Sequence, residues 1–225
     1  MSNDTEKKNA AAGGVLVCFA MKEEAMEFEK IAKRKPGAFI LVTGIGQQNA
    51  DRAVRDFLGT QTPERVLSCG FAGALVADLQ IGDVIFETDD ARLGEELMGA
   101  GTRRVKFHCA DRIATTSHEK RELRQTTNAD AVEMESGAIR SVCRERQLPF
   151  ATVRVISDVA GEDLPLDFNR LSKPDRSMDY GKLALALAKS PGKIRALRQL
   201  QKNAQLAADR LAAALEKIIW PSPGV

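Results

Sequence analysis

The chain alternates two kinds of apolar pattern, and this alternation narrows the folds open to it more than any other feature. Val15-Leu-Val-Cys-Phe19 is continuously apolar, as suits a strand buried on both faces. Met21, Ala25, Phe28 and Ile31 then recur at helical spacing. The exchange repeats with a strand over 39–42 and a helix marked by Ala50, Ala53, Val54 and Phe57. Further strands are expected over 65–70, over 80–86 after a turn, over 105–109 and over 149–156. Thr116-x-x-Glu119 is a capping-box pattern for a helix reaching about Arg124. Ala138, Ile139, Val142 and Cys143 predict a helix ending near Gln147, and two more helices are expected over 179–189 and 191–219. Segments 89–101 and 162–178 lack a period and read as loop, the second placed to act as a lid. Strands alternating with helices predict one α/β domain over 15–225 with a largely parallel sheet. A polar, Lys-rich tail over 1–14 is expected to be disordered.

Charge and cysteine usage exclude several classes. The 33 basic and 31 acidic residues nearly cancel, which leaves no general nucleic-acid footprint. One Trp and one Tyr are too few for a base-stacking platform. Cys18, Cys69, Cys109 and Cys143 lie far apart with no Cys-x-x-Cys, so buried free thiols in a reducing compartment are expected, and neither a zinc site nor a disulfide framework. No window approaches the roughly 20 apolar residues of a membrane span. The start of the chain lacks the apolar core of a secretory signal, and a cytoplasmic location is expected. Nothing in the chain names a metal or an organic cofactor.

The stretch from Asp130 to Ile139 carries the strongest chemical signal. A short apolar run ends in Glu133 and Glu135, which an extended chain points to the same face. Two like charges so close are costly unless a cation or hydroxyl sits against them. Solvated acids at a strand end are one reading. A site is the other, because ligands of α/β proteins bind at the carboxyl ends of strands. Arg154 lies inside an apolar run and needs a partner if buried, and Glu133 is a candidate that would relieve the crowding. Glu23 and Glu24 in a first helical turn suit the helix dipole without any further role. Thr43-Gly-Ile-Gly46 can cradle a phosphate or merely turn tightly. The small residues of Gly70-Phe-Ala-Gly-Ala74 let a backbone approach a ligand, or make a turn.

Read together, Ala20-Met-Lys-Glu-Glu24, Thr43-Gly-Ile-Gly46, Cys69-Gly-Phe-Ala-Gly73, Gln80-Ile-Gly-Asp83, Ala131-Val-Glu-Met-Glu135 and Arg154-Val-Ile-Ser-Asp158 resemble one collinear set. It is that of the nucleoside phosphorylase and nucleosidase family, nearest in motif to the 5′-methylthioadenosine/S-adenosylhomocysteine nucleosidases. The tail, with Leu183–Leu187, Pro191-Gly-Lys-Ile and a long Ala/Leu helix, is similar to the hopanoid-associated adenosylhopane nucleosidases. The resemblance implies a three-layer α/β/α sandwich with a partly mixed sheet, hydrolysis of a purine nucleoside with release of adenine, and a homodimer. A phosphorolytic enzyme and a non-catalytic nucleoside-binding relative are the alternatives.

The resemblance also implies roles. Glu24 would be the base that activates water, kept ionised by the helix start. Asp158 would be the general acid toward purine N7. An aspartic acid near its reference pKa of about 3.9 is a poor donor at neutral pH, so desolvation or a neighbouring negative charge is expected there. Glu135 would accept hydrogen bonds from the ribose hydroxyls. Met134 would pack on the sugar or simply fill the core. Ser157 would position Asp158 or satisfy a turn. Glu133, Gly70, Phe71, Ala72 and Ile113 complete the expected substrate contacts. Two acids in the turn Phe19–Glu24 repel phosphate, which favours hydrolysis. Arg112 falls where the nucleosidases place a Phe on the purine, to stack or to point to solvent. Leu164, Leu166 and Phe168 would cover an apolar 5′ group or only pack on the core.

Overall fold

Eight strands form one mixed sheet in the computed structural model, which describes residues 13–171, 173, 181–182 and 192–221. The elements run β1 (Val15–Phe19), α1 (Lys22–Ala32), β2 (Ala38–Val42), α2 (Gln47–Leu58), β3 (Arg65–Ala74) and β4 (Val84–Glu87). Then come α3 (Ala91–Gly99), β5 (Arg103–Arg104), β6 (Phe107–Cys109), α4 (Ser117–Thr127) and β7 (Ala131–Glu133). The order closes with α5 (Ser136–Glu145), β8 (Phe150–Asp158) and α6 (Lys193–Ile219). The main path across the sheet is β2-β1-β3-β8-β4-β5, and β7 joins β6 to β3. Strands β1, β2, β3 and β8 are mutually parallel where they pair, while β4 runs antiparallel to β8 and β7 antiparallel to β3.

Alternate residues of β1 divide the core in two. Val15, Val17 and Phe19 face α1, α3 and α6, packing with Phe28, Leu97, Leu211 and Leu215. Leu16 and Cys18 face the opposite layer, against Val54 of α2 and Ile139 and Val142 of α5. With helices on both faces, strands this apolar on both sides stay dry. The expected three-layer sandwich around a largely parallel, partly mixed sheet is the observed one.

Two expectations need correction. Segment 89–101 is not loop: Asp90 caps α3 by accepting from the Leu93 amide at 2.9 Å, and Leu93 and Leu97, one turn apart, enter the core. The strand after Arg65 continues through Gly70 to Ala74. Gly14, placed in the expected tail, is buried, and its carbonyl accepts from the Glu64 amide at 2.9 Å. Residues 1–12 lie outside the described residues, as do most of the helix expected over 179–189 and most of 172–178. No described helix is long and apolar enough to cross a membrane.

Register builds the ground for a site. Phe19 is the last residue of β1 and pairs with Cys69 of β3, so Gly70–Ala74 overhang the end of β1. The overhang pairs instead with β8, which sets Arg154 beside Gly70, and with the antiparallel β7, which sets Val132 beside Gly73. Four chain segments therefore converge at one end of the sheet.

Candidate active site

Arg154 is the centre of that convergence. Its side chain is 1% exposed, and its Nη2 donates to Glu133 Oε2 at 2.5 Å, to Ser68 Oγ at 3.1 Å and to Glu135 Oε2 at 3.2 Å. Nη1 donates to the Cys69 carbonyl at 3.2 Å. The pairing of Arg154 with Glu133, argued above from charge alone, is the observed one. Burial works against the guanidinium's charge, but Glu133, Glu135 and Glu24 around it outweigh that and raise its pKa.

Glu133 turns inward. Its Oε2 also accepts from the amides of Glu135 and Ser136, at 3.0 and 2.8 Å, and its Oε1 accepts from Ser136 Oγ at 2.6 Å. Burial alone would raise its pKa, but Arg154, the Ser136 hydroxyl and those two amides bring it below the usual carboxylate range. Expected as a substrate contact, Glu133 instead has its partners inside the protein. It caps the start of α5 and braces its neighbour.

Glu135 is the open member of the pair. Its Oε1 accepts from the Gly46 amide at 2.8 Å, so the Gly-x-Gly turn holds a carboxylate of this chain. Gly44 and Gly46 take φ of +85° and +88°, conformations that favour glycine and let the Gly46 N–H point at Glu135. Burial raises the Glu135 pKa, with the Glu133 charge adding and Arg154 opposing. Each Glu135 oxygen keeps lone-pair capacity for a further donor. Met134 between the two acids is half-buried.

Glu24, in the first turn of α1, is 3% exposed. Its Oε2 accepts from the amides of Ala20 and Met21 at 2.9 and 3.0 Å, and its Oε1 accepts from the Phe71 amide at 2.8 Å. A Cβ on Gly70 would lie 2.6 Å from both Glu24 Oε1 and Arg154 Nη1, so only glycine leaves this room. Burial pushes the Glu24 carboxyl up to about 7, the Glu135 charge adds to that, and Arg154 and the amides of Phe71 and Met21 oppose it. The helix start was expected to keep Glu24 ionised; burial opposes this and raises its pKa.

Asp158 ends β8 opposite Gly73, across a bulge in the β3–β8 pairing. Ser157 Oγ donates to Asp158 Oδ1 at 2.9 Å. On the other oxygen sits a residue that sequence reasoning missed: Lys120 Nζ, 2.5 Å from Asp158 Oδ2, on a side chain 1% exposed. Desolvation or a neighbouring negative charge was expected beside Asp158; at this contact the neighbour is a cation. The local sequence held a signal. Leu123 is the lone apolar side chain of α4, and Lys120 and Thr127 share its helical face.

The remaining expected residues range from buried to exposed. Ala72 is buried, and Phe71 packs partly against the core. Ile113 gives both backbone groups to one side chain: its N–H donates to Asn169 Oδ1 at 3.0 Å and its carbonyl accepts from Asn169 Nδ2 at 2.9 Å. Arg112 points outward to Glu119 at 2.7 Å and is 65% exposed, so of its two readings the structure takes solvent. Leu166 is buried, and Leu164 donates its amide to the Thr115 carbonyl.

Comparison with known proteins gives the geometry a context. The model of the phosphorylase superfamily matches residues 21–93 and 91–219. A 5′-methylthioadenosine/S-adenosylhomocysteine nucleosidase of Bacillus cereus is 27% identical, over 64% of this chain and 78% of its own length. The nucleosidase of Helicobacter pylori, complexed with a substituted pyrrolidin-3-ol, superposes with a TM-score of 0.69 at 16% identity, covering 92% of this chain and 97% of its own. Futalosine hydrolase of Helicobacter pylori superposes at 0.66 and 17% identity, over 91% and 98%.

Proposed function

The chain belongs to the phosphorylase superfamily, and from that premise we propose that it hydrolyses the N-glycosidic bond of an adenosine-type nucleoside, with a modified 5′ group, and releases adenine. The observation that carries hydrolysis is Glu24 Oε2 on the amides of Ala20 and Met21. Amides at a helix start are a ready site for an anion such as phosphate. Here the chain's own carboxylate fills it, and water is left as the nucleophile.

In this reading the C1′–N9 bond breaks with its electron pair moving into the purine and positive charge growing on the ribose. Glu135 accepts from the ribose hydroxyls, and the excess of buried carboxylates over Arg154 favours the cationic sugar. Glu24 takes a proton from the attacking water. With its carboxyl near 7 it can bind and release that proton at neutral pH. Asp158, at the far end of the overhang, serves the purine side.

Adenine as the base is supported by the seat of Asn169. A carboxamide presents one acceptor and one donor side by side, as the N1 and 6-amino edge of adenine does. The Ile113 backbone matches that order, and a 6-oxopurine reverses it. The compound bound to the Helicobacter pylori nucleosidase likewise carries an amino-pyrrolopyrimidine and a thioether arm. The test is release of free adenine from adenosines varied at the 5′ position, with and without phosphate. Turnover that needs phosphate, with ribose 1-phosphate as product, would replace the hydrolase by a phosphorylase.

A further inference from the structure

The Lys120–Asp158 contact sets a chemical problem, and its solution rests on the hydrolase reading above. A general acid must hold a proton. Yet both Asp158 oxygens accept hydrogen bonds, Oδ1 from Ser157 and Oδ2 from Lys120, the arrangement of a carboxylate. Lys120 Nζ in turn meets three acceptors: Asp158 Oδ2 at 2.5 Å, the Val159 carbonyl at 2.7 Å and the Glu162 carbonyl at 3.2 Å. Three acceptors match the three N–H bonds of an ammonium. The proton that the leaving purine needs is thus stored one residue back, on a side chain shielded from water.

The geometry points to Lys120 as the proton source for the leaving group, acting through Asp158. As the C1′–N9 pair withdraws into the purine, Lys120 passes a proton to Asp158 Oδ2, and the carboxylic acid so formed passes it to N7. Lys120 ends as a neutral amine. The water that adds to C1′ loses its proton to Glu24, and return of that proton through solvent restores the ammonium. Atoms and charge balance with water as the only co-reactant. The two backbone carbonyls keep the amine seated while it lacks its proton, and Lys120 is accordingly a positioning residue that never touches substrate.

The test compares two leaving groups. Adenosine-type nucleosides need protonation, and p-nitrophenyl riboside releases a stable phenolate without it. In single turnover, Lys120→Met should lower the rate on the nucleoside by about 100-fold or more, the usual worth of a general acid, and leave p-nitrophenyl riboside nearly unchanged. In Lys120→Ala, added propylamine should restore nucleoside cleavage. Equal loss on both substrates, or a wild-type rate in Lys120→Met, overturns the relay. A measurement on the wild-type chain covers variants that do not fold. Rates in H2O/D2O mixtures should curve more with isotope content for the nucleoside than for the riboside, because more protons move, and identical curves overturn the relay too. Absence of any free purine from the wild-type chain removes the hydrolase reading, and the relay with it. A failed relay beside normal purine release leaves the hydrolase standing.

Discussion

Glu24 and Gly70 lie so close that a single methyl group cannot stand between them: a Cβ at Gly70 would sit 2.6 Å from Glu24 Oε1. Gly70 also takes φ +144°, where L side chains are strained. Gly70→Ala should therefore shift both Glu24 and Arg154, costing at least about 1–3 kcal/mol of stability by overpacking and most of the turnover. Denaturant melts paired with an adenine-release assay check this. A fully active Gly70→Ala would show that Glu24 has slack the structure does not contain.

A base with its carboxyl near 7 gives the reaction a pH dependence. kcat/KM should rise with pH toward about 7 and level off above it, as Glu24 loses its proton. Glu24→Gln, which cannot take a proton from water, should lose at least about 100-fold in turnover. Stability should move the opposite way. A folded pKa of about 7, above the ordinary glutamate value of 4.5, means that the native state binds more protons between those values. Stability from this group therefore falls as pH rises through that window, by on the order of 3 kcal/mol in full. Melts at pH 5 and pH 8, for the wild type and Glu24→Gln, separate it from other titrations.

Arg154→Met should be among the most damaging single changes. It leaves Glu133 and Glu135 buried without their common cation, and breaking a buried ion pair costs about 3–5 kcal/mol. Chemical denaturation reads the loss. Arg154→Met/Glu133→Gln, with one charge of each sign removed, should recover part of it. A double variant no better than the single one would dissociate the two residues energetically.

Asn169→Ala should bind substrate better. Its carboxamide occupies the Ile113 backbone groups assigned above to the base, so an incoming purine must displace it. Removing the competitor should lower KM several-fold, in keeping with the modest net worth of about 1 kcal/mol for a hydrogen bond, with kcat little changed. A raised KM would mean that Asn169 itself helps to hold the ligand.

Much of this architecture was legible because burial writes its own pattern. A strand dry on both faces must be apolar throughout, as Val15–Phe19 is, and a buried Arg154 within such a strand had to find an acid. What escaped depended on partners remote in sequence. Helix α3 is short, charged and broken by Gly94, and Leu93 and Leu97 become a helical face only once a core exists to receive them. Lys120 shares the helical face of Leu123, which marks it for burial, but its role comes from Asp158 and two carbonyls about 40 residues on. The ionisation of Glu24 was misread for a similar reason. Helix dipoles are local and can be read from the chain, whereas desolvation is set by the completed fold.

The cover over α1 has a consequence for how this protein is made. Phe28 of α1 stacks on Trp220 at 5.9 Å, Trp220 Nε1 donates to the Pro36 carbonyl at 2.7 Å, and Leu211 and Leu215 of α6 close the same cluster. A ribosome has released α1 long before it reaches residue 220, so the nascent chain carries the apolar face of α1 uncovered through most of its synthesis. Glu24 lies in the first turn of that helix. Assembly of the site therefore comes late in translation, and a chain stopped before α6 would offer chaperones and proteases the very surface that should have anchored its base.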